Sequence, residues 1–528
     1  MSHPVLLTDL PDEVLLRIST CVADLLDFEC PSEKPRWNTQ TFGPLKLPVR
    51  SLIELRRISH RFNRLAEPLL FRTLKITGWE EDGSVSVVTL LHVMLSGEED
   101  LGRKVKCLWL GPWKPSNTYG GESSLSLLLR GLDIHNRPYG LRSVAPLLPY
   151  IERYLRRNVV FLDPALDKQL FQQIKNVEED ALLALLLSML PNLTTLDLVP
   201  WLPSFLGQVY QLLVQWTMFY NGRVPRTLPS SGSGPFSKLT RVTFHEYCWG
   251  EDYSEHSGSE GWSDHEDEVT HEYLTIHKLV PFFQLPSMRV LECRKITSRG
   301  TGYDLLDLPV GCSGIEELSF NNSSLDDRSL QAMIAACKGM TSFHFQAAGD
   351  QFGYQPLTSP GLGQALETQS NTLTKLSIRT GNVFFTNNGR DLRDINVGTI
   401  GSSLVSLTKL RDLEVPGTLL WGYHPEAVSA CEIQKNSPLF IDLSPFANLT
   451  EILPRSLERL CVDEWYKNID KSMEDFARCC GDTRLFGNMN SLEVGLSNTK
   501  VLEEICEETG VQLVERPGLG TFSPNRPR

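Results

Sequence analysis

One spacing recurs along this chain: an apolar residue, two residues of any kind, an apolar residue, one of any kind, an apolar residue. It reads Val105/Leu108/Leu110, Leu193/Leu196/Leu198, Leu239/Val242/Phe244, Met288/Leu291/Cys293 and Ile315/Leu318/Phe320. It continues as Met340/Phe343/Phe345, Leu373/Leu376/Ile378, Leu410/Leu413/Val415, Leu457/Leu460/Val462 and Met489/Leu492/Val494. The last two apolar positions alternate with polar ones, the pattern of a short strand with one face in a core. First positions are separated by 88, 46, 49, 27, 25, 33, 37, 47 and 32 residues. The shorter intervals hold one strand and one helix, and the longer ones need insertions. The 88-residue interval is expected to hide a divergent turn around Tyr150 to Gln173. One such unit cannot bury its own apolar face, so neighbours must stack.

Helical stretches precede several of the triplets. EEDALLALLLSMLPNLTTLDL reads as a helix feeding a strand. DDRSLQAMIAACKGMTSFHF does the same, with Asp326 or Asp327 as its cap. SPGLGQALETQSNTLTKLSI repeats the arrangement, with Pro360 near the helix start. Gly/Ser/Pro-rich or acidic stretches at 114–124, 221–235 and 246–272 read as loops, and 515–528 as a flexible tail.

The N-terminus follows a different pattern. LPDEVLLRISTCVADLL carries Leu10, Val14, Leu15 and Ile18 at helical spacing, with Asp9 as a cap and Pro11 in the first turn. A polar stretch at about 27–50 interrupts it. A second helix, SLIELRRISHRFNRLAEPLLF, has Leu52, Leu55, Ile58, Phe62 and Leu65 on its apolar face, and Pro68 is expected to bend or restart it. Its basic residues Arg56, Arg57, Arg61 and Arg64 read as a solvated face.

These N-terminal residues resemble an F-box. LPDEVLLRI at Leu10–Ile18 and LIELRRISHRFNRLAEPLLFRTL at Leu52–Leu74 carry the resemblance, with a spacer roughly twenty residues longer than in a compact F-box. The remainder is similar to the leucine-rich-repeat-like arrays of fungal F-box proteins. The resemblance implies an α/β protein: a small helical F-box over 5–75, then an irregular leucine-rich-repeat-like solenoid over 76–514 with a disordered acidic loop at about 246–272. It further implies the substrate-recognition subunit of a Skp–cullin–F-box ubiquitin ligase. An Skp-type adaptor, and through it a cullin core, would dock on Leu10, Pro11, Val14, Leu15, Ile18, Leu55, Ile58 and Phe62. About half of these are expected to serve the segment's own core instead. A rival reading is a leucine-rich-repeat interaction scaffold with no ligase attached, its N-terminal segment acting as a cap.

Composition narrows the function. Acids outnumber bases 64 to 51, for a net charge of −13, which disfavours a nucleic-acid binder. Residues 246–272 alone hold ten Asp/Glu and no Lys/Arg, so the acidity is local. His256, His265 and His271 in that stretch lack a ligand spacing, and a solvated loop is preferred to a metal site. The twelve cysteines include no CxxC, which points to reduced thiols and a cytoplasmic or nuclear location. The most apolar stretch, Ala181 to Leu190, is short of a membrane span. No phosphate-cradling loop, zinc-protease motif or nucleophile elbow occurs. The expectation is a non-enzyme without metal or cofactor.

Recognition of a protein substrate would then fall to the residues that alternate with the inward ones. The column between the last two apolar positions runs Asp197, Thr243, Glu292, Ser319, His344, Ser377, Glu414, Cys461 and Glu493. The next column includes His245, Arg294, Asn321, Gln346, Arg379 and Asp463. Glu292, Arg294, His344, Gln346 and Arg379 lie where the pattern is most regular, and they are the candidate substrate contacts on an exposed, mixed-sign face.

Overall fold

The computed structural model describes residues 10–17, 19, 60–76, 87–96, 101–111, 145–158, 160–176, 178–199, 207–223, 234–245, 274–298, 308–348, 359–379, 400–421, 448–463, 470–494 and 500–515. They belong to two compact units, Met1–Glu272 and Tyr273–Arg528. The expected loops at 27–50, 114–124 and 246–272 lie outside the described residues, as does 516–528 of the expected tail.

In the first unit a helical turn at residues 12–17 is followed by α1 (His60–Leu70), which runs through Pro68 without a break. Then come β1 (Thr73–Ile76), α2 (Val87–Ser96), α3 (Leu101–Lys104) and β2 (Cys107–Leu110). Next are α4 (Leu148–Arg157), α5 (Pro164–Lys175), α6 (Glu179–Ser188), β3 (Thr195–Leu198), α7 (Gly207–Tyr220) and β4 (Arg241–Phe244). The four strands form one parallel sheet in chain order, with Leu74, Leu108, Leu196 and Val242 in register.

Besides the unbroken helix at Pro68, two findings here differ from the sequence reading. β1 begins inside the span assigned to the helical segment, 5–75, and joins the sheet as β2 and β3 do. The Arg72 carbonyl accepts from both Lys106 N (2.8 Å) and Cys107 N (2.9 Å), as the Lys106 carbonyl accepts from Thr194 and Thr195. The second difference is the 88-residue interval. β2 pairs directly with β3, so no strand of the sheet lies between them, and Tyr150 to Gln173 runs from α4 into α5.

The apolar run at Ala181–Leu187 is buried on every side because α6 packs against α2, α5 and α7 at once. A helix enclosed on all sides needs no polar face. Trp216 of α7 donates its indole N–H to Val160 O at 2.8 Å, which ties α7 to the turn before α5. At Gly102 a side chain would run into the Met189 carbonyl, so α3 can approach the end of α6 only as glycine.

The second unit opens with β5 (Leu274–Thr275) and α8 (Val280–Phe283). β6 (Val290–Arg294), β7 (Ile296–Thr297), β8 (Glu317–Ser323), α9 (Asp327–Ala336), β9 (Ser342–Ala347), α10 (Ser359–Glu367) and β10 (Lys375–Arg379) follow. Then come α11 (Gly401–Leu404), β11 (Asp412–Pro416), α12 (Gly417–Trp421), α13 (Leu449–Ile452) and β12 (Arg459–Asp463). α14 (Asp470–Cys480), α15 (Thr483–Phe486), β13 (Ser491–Val494), α16 (Lys500–Thr509) and β14 (Gln512–Glu515) complete it. β6, β8, β9, β10, β11, β12, β13 and β14 make one parallel sheet in that order. β5 and β7 pair separately.

The same fork opens most strands of this sheet. Glu316 and Glu317 donate to Arg289 O, Thr341 and Ser342 to Glu316 O, and Thr374 and Lys375 to Thr341 O. Arg411 and Asp412 then donate to Thr374 O, and Glu458 and Arg459 to Arg411 O. The forks fix the register that puts Leu318, Phe343, Leu376, Leu413, Leu460 and Leu492 side by side. Every position of the ten triplets is buried, none more than 6% exposed. Each fully buried Leu or Phe side chain contributes roughly 1.5–3 kcal/mol.

Asp326 is the cap of α9, accepting from Ser329 N at 2.8 Å. At the other end of α9, buried Gln369 donates to Ile334 O (3.0 Å) and Cys337 O (2.8 Å), while its oxygen accepts from Met340 N (3.1 Å). One side chain thereby satisfies carbonyls that the helix end leaves open.

Candidate functional site

At the N-terminus the helical turn begins on the Pro11 carbonyl, which accepts from Val14 N (3.1 Å) and Leu15 N (3.0 Å). Asp12 pairs with Arg61 and, at 2.8 Å, with Arg64, joining this turn to α1. The Arg61 hydrogen bond, with Arg64 beside it, holds the Asp12 carboxyl below its ordinary range. Two of the arginines read as a solvated face thus carry a specific contact. Leu15 and Phe62 are 0% exposed. A partner cannot touch them without opening the segment, so both serve its own packing, a correction to their place among the adaptor contacts. Leu10 is half-buried and Pro11 exposed, while Val14 is 41% and Leu16 43% exposed. Leu16 was missed because it lies off the apolar stripe. Ile18, Leu55 and Ile58 lie outside the described residues.

On the second unit's sheet, Glu292, Ser319, His344, Ser377, Glu414, Cys461 and Glu493 occupy one register row. The row is not uniformly exposed: Ser377 is 4%, Glu414 5% and Cys461 0% exposed. That corrects the expectation of an open face at its centre. The buried polar groups are instead joined by hydrogen bonds, as burial demands.

Ser377 Oγ donates to Glu414 Oε2 at 2.7 Å, which uses its one proton. His344 Nδ1 lies 2.9 Å from the same hydroxyl. Burial above all, then the neighbouring Arg379, pushes His344 down to about 4, against the opposing pull of Glu414. His344 is thus neutral near pH 7 and carries one ring proton. Its Nε2 lies 2.9 Å from Asn321 Oδ1, and Asn321 Nδ2 donates to Ser319 Oγ at 3.1 Å. Arg379 closes the chain, donating from Nε (3.0 Å) and Nη2 (2.7 Å) to Glu414 Oε1. Cys461 Sγ lies 4.0 Å from the same oxygen.

Of the five candidate contacts, His344 has both ring nitrogens engaged inside the sheet, so it organises the face and is not an open donor. Arg379 is anchored by Glu414 but keeps 41% of its side chain exposed. Glu292 and Arg294 face each other at 3.8 Å. Gln346 is half-buried and pairs in register with Arg379. Asn321, Ser377 and Glu414, absent from the five, hold the network together. The alternation of the sequence marks their face and leaves their bonding invisible.

Farther along, Arg459 bridges Asp412 and Glu493, donating to Glu493 from Nε (2.6 Å) and Nη2 (3.0 Å). Lys375 lies 3.7 Å from Asp412. The charges of the face are largely matched from strand to strand, so its field is short-ranged. Among the described residues no group of three or more His, Cys, Asp or Glu is placed to hold a metal ion. No helix among them is long and apolar enough to cross a membrane. No family model and no curated protein matches the sequence.

Proposed function

We propose that this chain is a substrate receptor of a Skp–cullin–F-box type ubiquitin ligase. Its N-terminal helical segment is an F-box that docks on an Skp-type adaptor. The residues after it form a leucine-rich-repeat-like solenoid that holds a protein substrate. The observation that carries this reading is the repeated parallel strand, most often one per helix-bearing interval and most often begun by the same two-amide fork on the strand before. A solenoid of stacked repeats requires that repetition. On this reading the chain performs no chemistry. It raises the effective concentration of a target lysine near a ubiquitin carrier bound elsewhere in the ligase.

The adaptor would meet Pro11, Val14 and Leu16, whose apolar surface is open while Leu15 and Phe62 hold the segment together. Helix-borne apolar anchors of this kind fit a groove on a partner. The test is capture of the full chain from a eukaryotic lysate beside a Val14→Asp/Leu16→Asp variant. Adaptor and cullin recovered by the parent and lost by the variant support the proposal. Equal recovery, or none from a lysate that contains both, refutes it.

One observation favours the rival scaffold. β1 follows α1 after two residues and pairs with β2, which is where a capping helix of a repeat array sits. That reading predicts that removing the helical segment costs stability and leaves adaptor capture unchanged at zero.

A further inference from the structure

The row beyond His344 holds donors that the sheet does not use. It runs Arg294 on β6, Asn321 on β8, Gln346 on β9 and Arg379 on β10, with Arg294 paired to Asn321 and Gln346 to Arg379. Arg294 is 23% exposed, yet among the described residues its buried Nε has no hydrogen-bond partner, and its one ion pair, to Glu292, is long at 3.8 Å. A guanidinium three-quarters out of water with its Nε–H unmet is costly unless an acceptor arrives. Gln346 makes no side-chain hydrogen bond among the described residues. Arg379 spends Nε and Nη2 on Glu414, which leaves Nη1 and its two protons directed away from that carboxylate. The Asn321 amide is committed to His344 and Ser319.

These four positions therefore offer two cations and a spare amide, and the first acid along the row is Asp463, on β12 two strands beyond Arg379. The acids nearby are already matched: Glu414 is buried under Arg379 and Ser377, and Glu292 faces Arg294. The backbone also marks the place. Lys295 and Asn322, the residues just after Arg294 and Asn321, have positive φ of 52° and 50°, and β8 carries a register shift between Phe320 and Ser323. Irregularities of this kind re-aim side chains at the end of a strand.

We propose that this row binds an extended acidic segment of the partner protein, with one carboxylate on Arg294 and a second on Arg379. The proposal rests on the reading of the sheet as the substrate-binding face and names the chemistry of what it binds. Arg294 and Arg379 stand three strand spacings apart, ~14 Å at ~4.8 Å per step. An extended chain covers that distance in about four residues at ~3.4 Å each. Side chains four apart in an extended chain share a face. The preferred segment thus carries Asp or Glu at two positions four residues apart, with its main chain crossing Gln346.

The test is selection from a displayed random dodecapeptide library on the full chain, repeated on Arg294→Gln and on Gln346→Glu. Neither change removes a hydrogen bond within the protein, and equal melting temperatures check the fold. The parent is expected to enrich peptides with two acids four residues apart. A selected peptide is expected to bind either variant roughly ten- to a hundredfold more weakly, the size of one lost hydrogen bond to a charged group. Selection without acidic enrichment, or affinity unchanged in both folded variants, overturns the proposal. Adaptor capture run in parallel separates the two claims. Capture intact with no acidic enrichment overturns the acidic-segment proposal alone. Acidic enrichment lost in the variants, with no capture, supports the site and overturns the ligase assignment.

Discussion

Replacing His344 with Asn should remove a specific sensitivity to acid. In the unfolded chain this histidine titrates near its ordinary 6.5, and in the folded sheet at about 4. Burial is the main cause, with Arg379 and Lys375 adding to it and Glu414 opposing. The folded value is the lower one, so the unfolded chain takes up the proton first as pH falls. The stabilisation due to neutral His344 is complete above about pH 6.5 and is lost progressively toward pH 4. Between pH 7.5 and 5.0 the loss from this one group amounts to about 2 kcal/mol. Urea unfolding followed by circular dichroism at both pH values measures it. Carboxylates and other histidines titrate alike in parent and variant, and the fixed cost of the missing Asn321 contact cancels in the difference. The parent should therefore lose about 2 kcal/mol more than His344→Asn over this interval. Equal losses in the two proteins would refute the account of a ring held neutral between Asn321 and Ser377.

Other consequences follow from the same structure. Arg379→Met strips the buried Glu414 carboxylate of its cation and should cost about 3 kcal/mol in urea unfolding, while adding Glu414→Leu should recover most of the loss. Phe343→Ala empties a site 0% exposed in the core and should cost about 3–5 kcal/mol, whereas Val310→Ala, at an 80% exposed position, should change stability by less than about 0.5 kcal/mol. Asp326→Ala removes the cap of α9 and should cost about 1 kcal/mol in the same assay.

The triplets were the most legible part of the fold. Apolar alternation selects which side chains face a core, and the last two positions of all ten triplets lie on strands, with all three side chains inside. β1 escaped because Phe71, Leu74 and Ile76 follow directly on an amphipathic helix and read as its continuation. β14 escaped because Val511, Leu513 and Val514 do not keep the spacing. The long interval before β3 was misjudged because only spacing suggested a missing unit, whereas β2 pairs directly with β3 and the expected turn falls on helices α4 and α5.

The candidate site was legible only by face. Alternation placed His344, Ser377 and Glu414 opposite the core, but periodicity carries no information about what else covers that face. Ser377 and Glu414 read as solvated and are buried. The bonds among them depend on register across chain separations of 33 and 37 residues, which no local pattern encodes. At the N-terminus, helical spacing grouped Leu15 with Val14, yet one is in the core and the other open, because adjacent helical residues point about a quarter-turn apart.

The most direct test of the central claim is binding of the purified full chain to a purified Skp-type adaptor, followed by size-exclusion chromatography with light scattering. The account predicts a one-to-one complex for the parent and separate elution for a folded Val14→Asp/Leu16→Asp variant. Separate elution of the parent at concentrations well above those of stable ligase subunits would contradict it, and the chain would then be a repeat scaffold with a capped end.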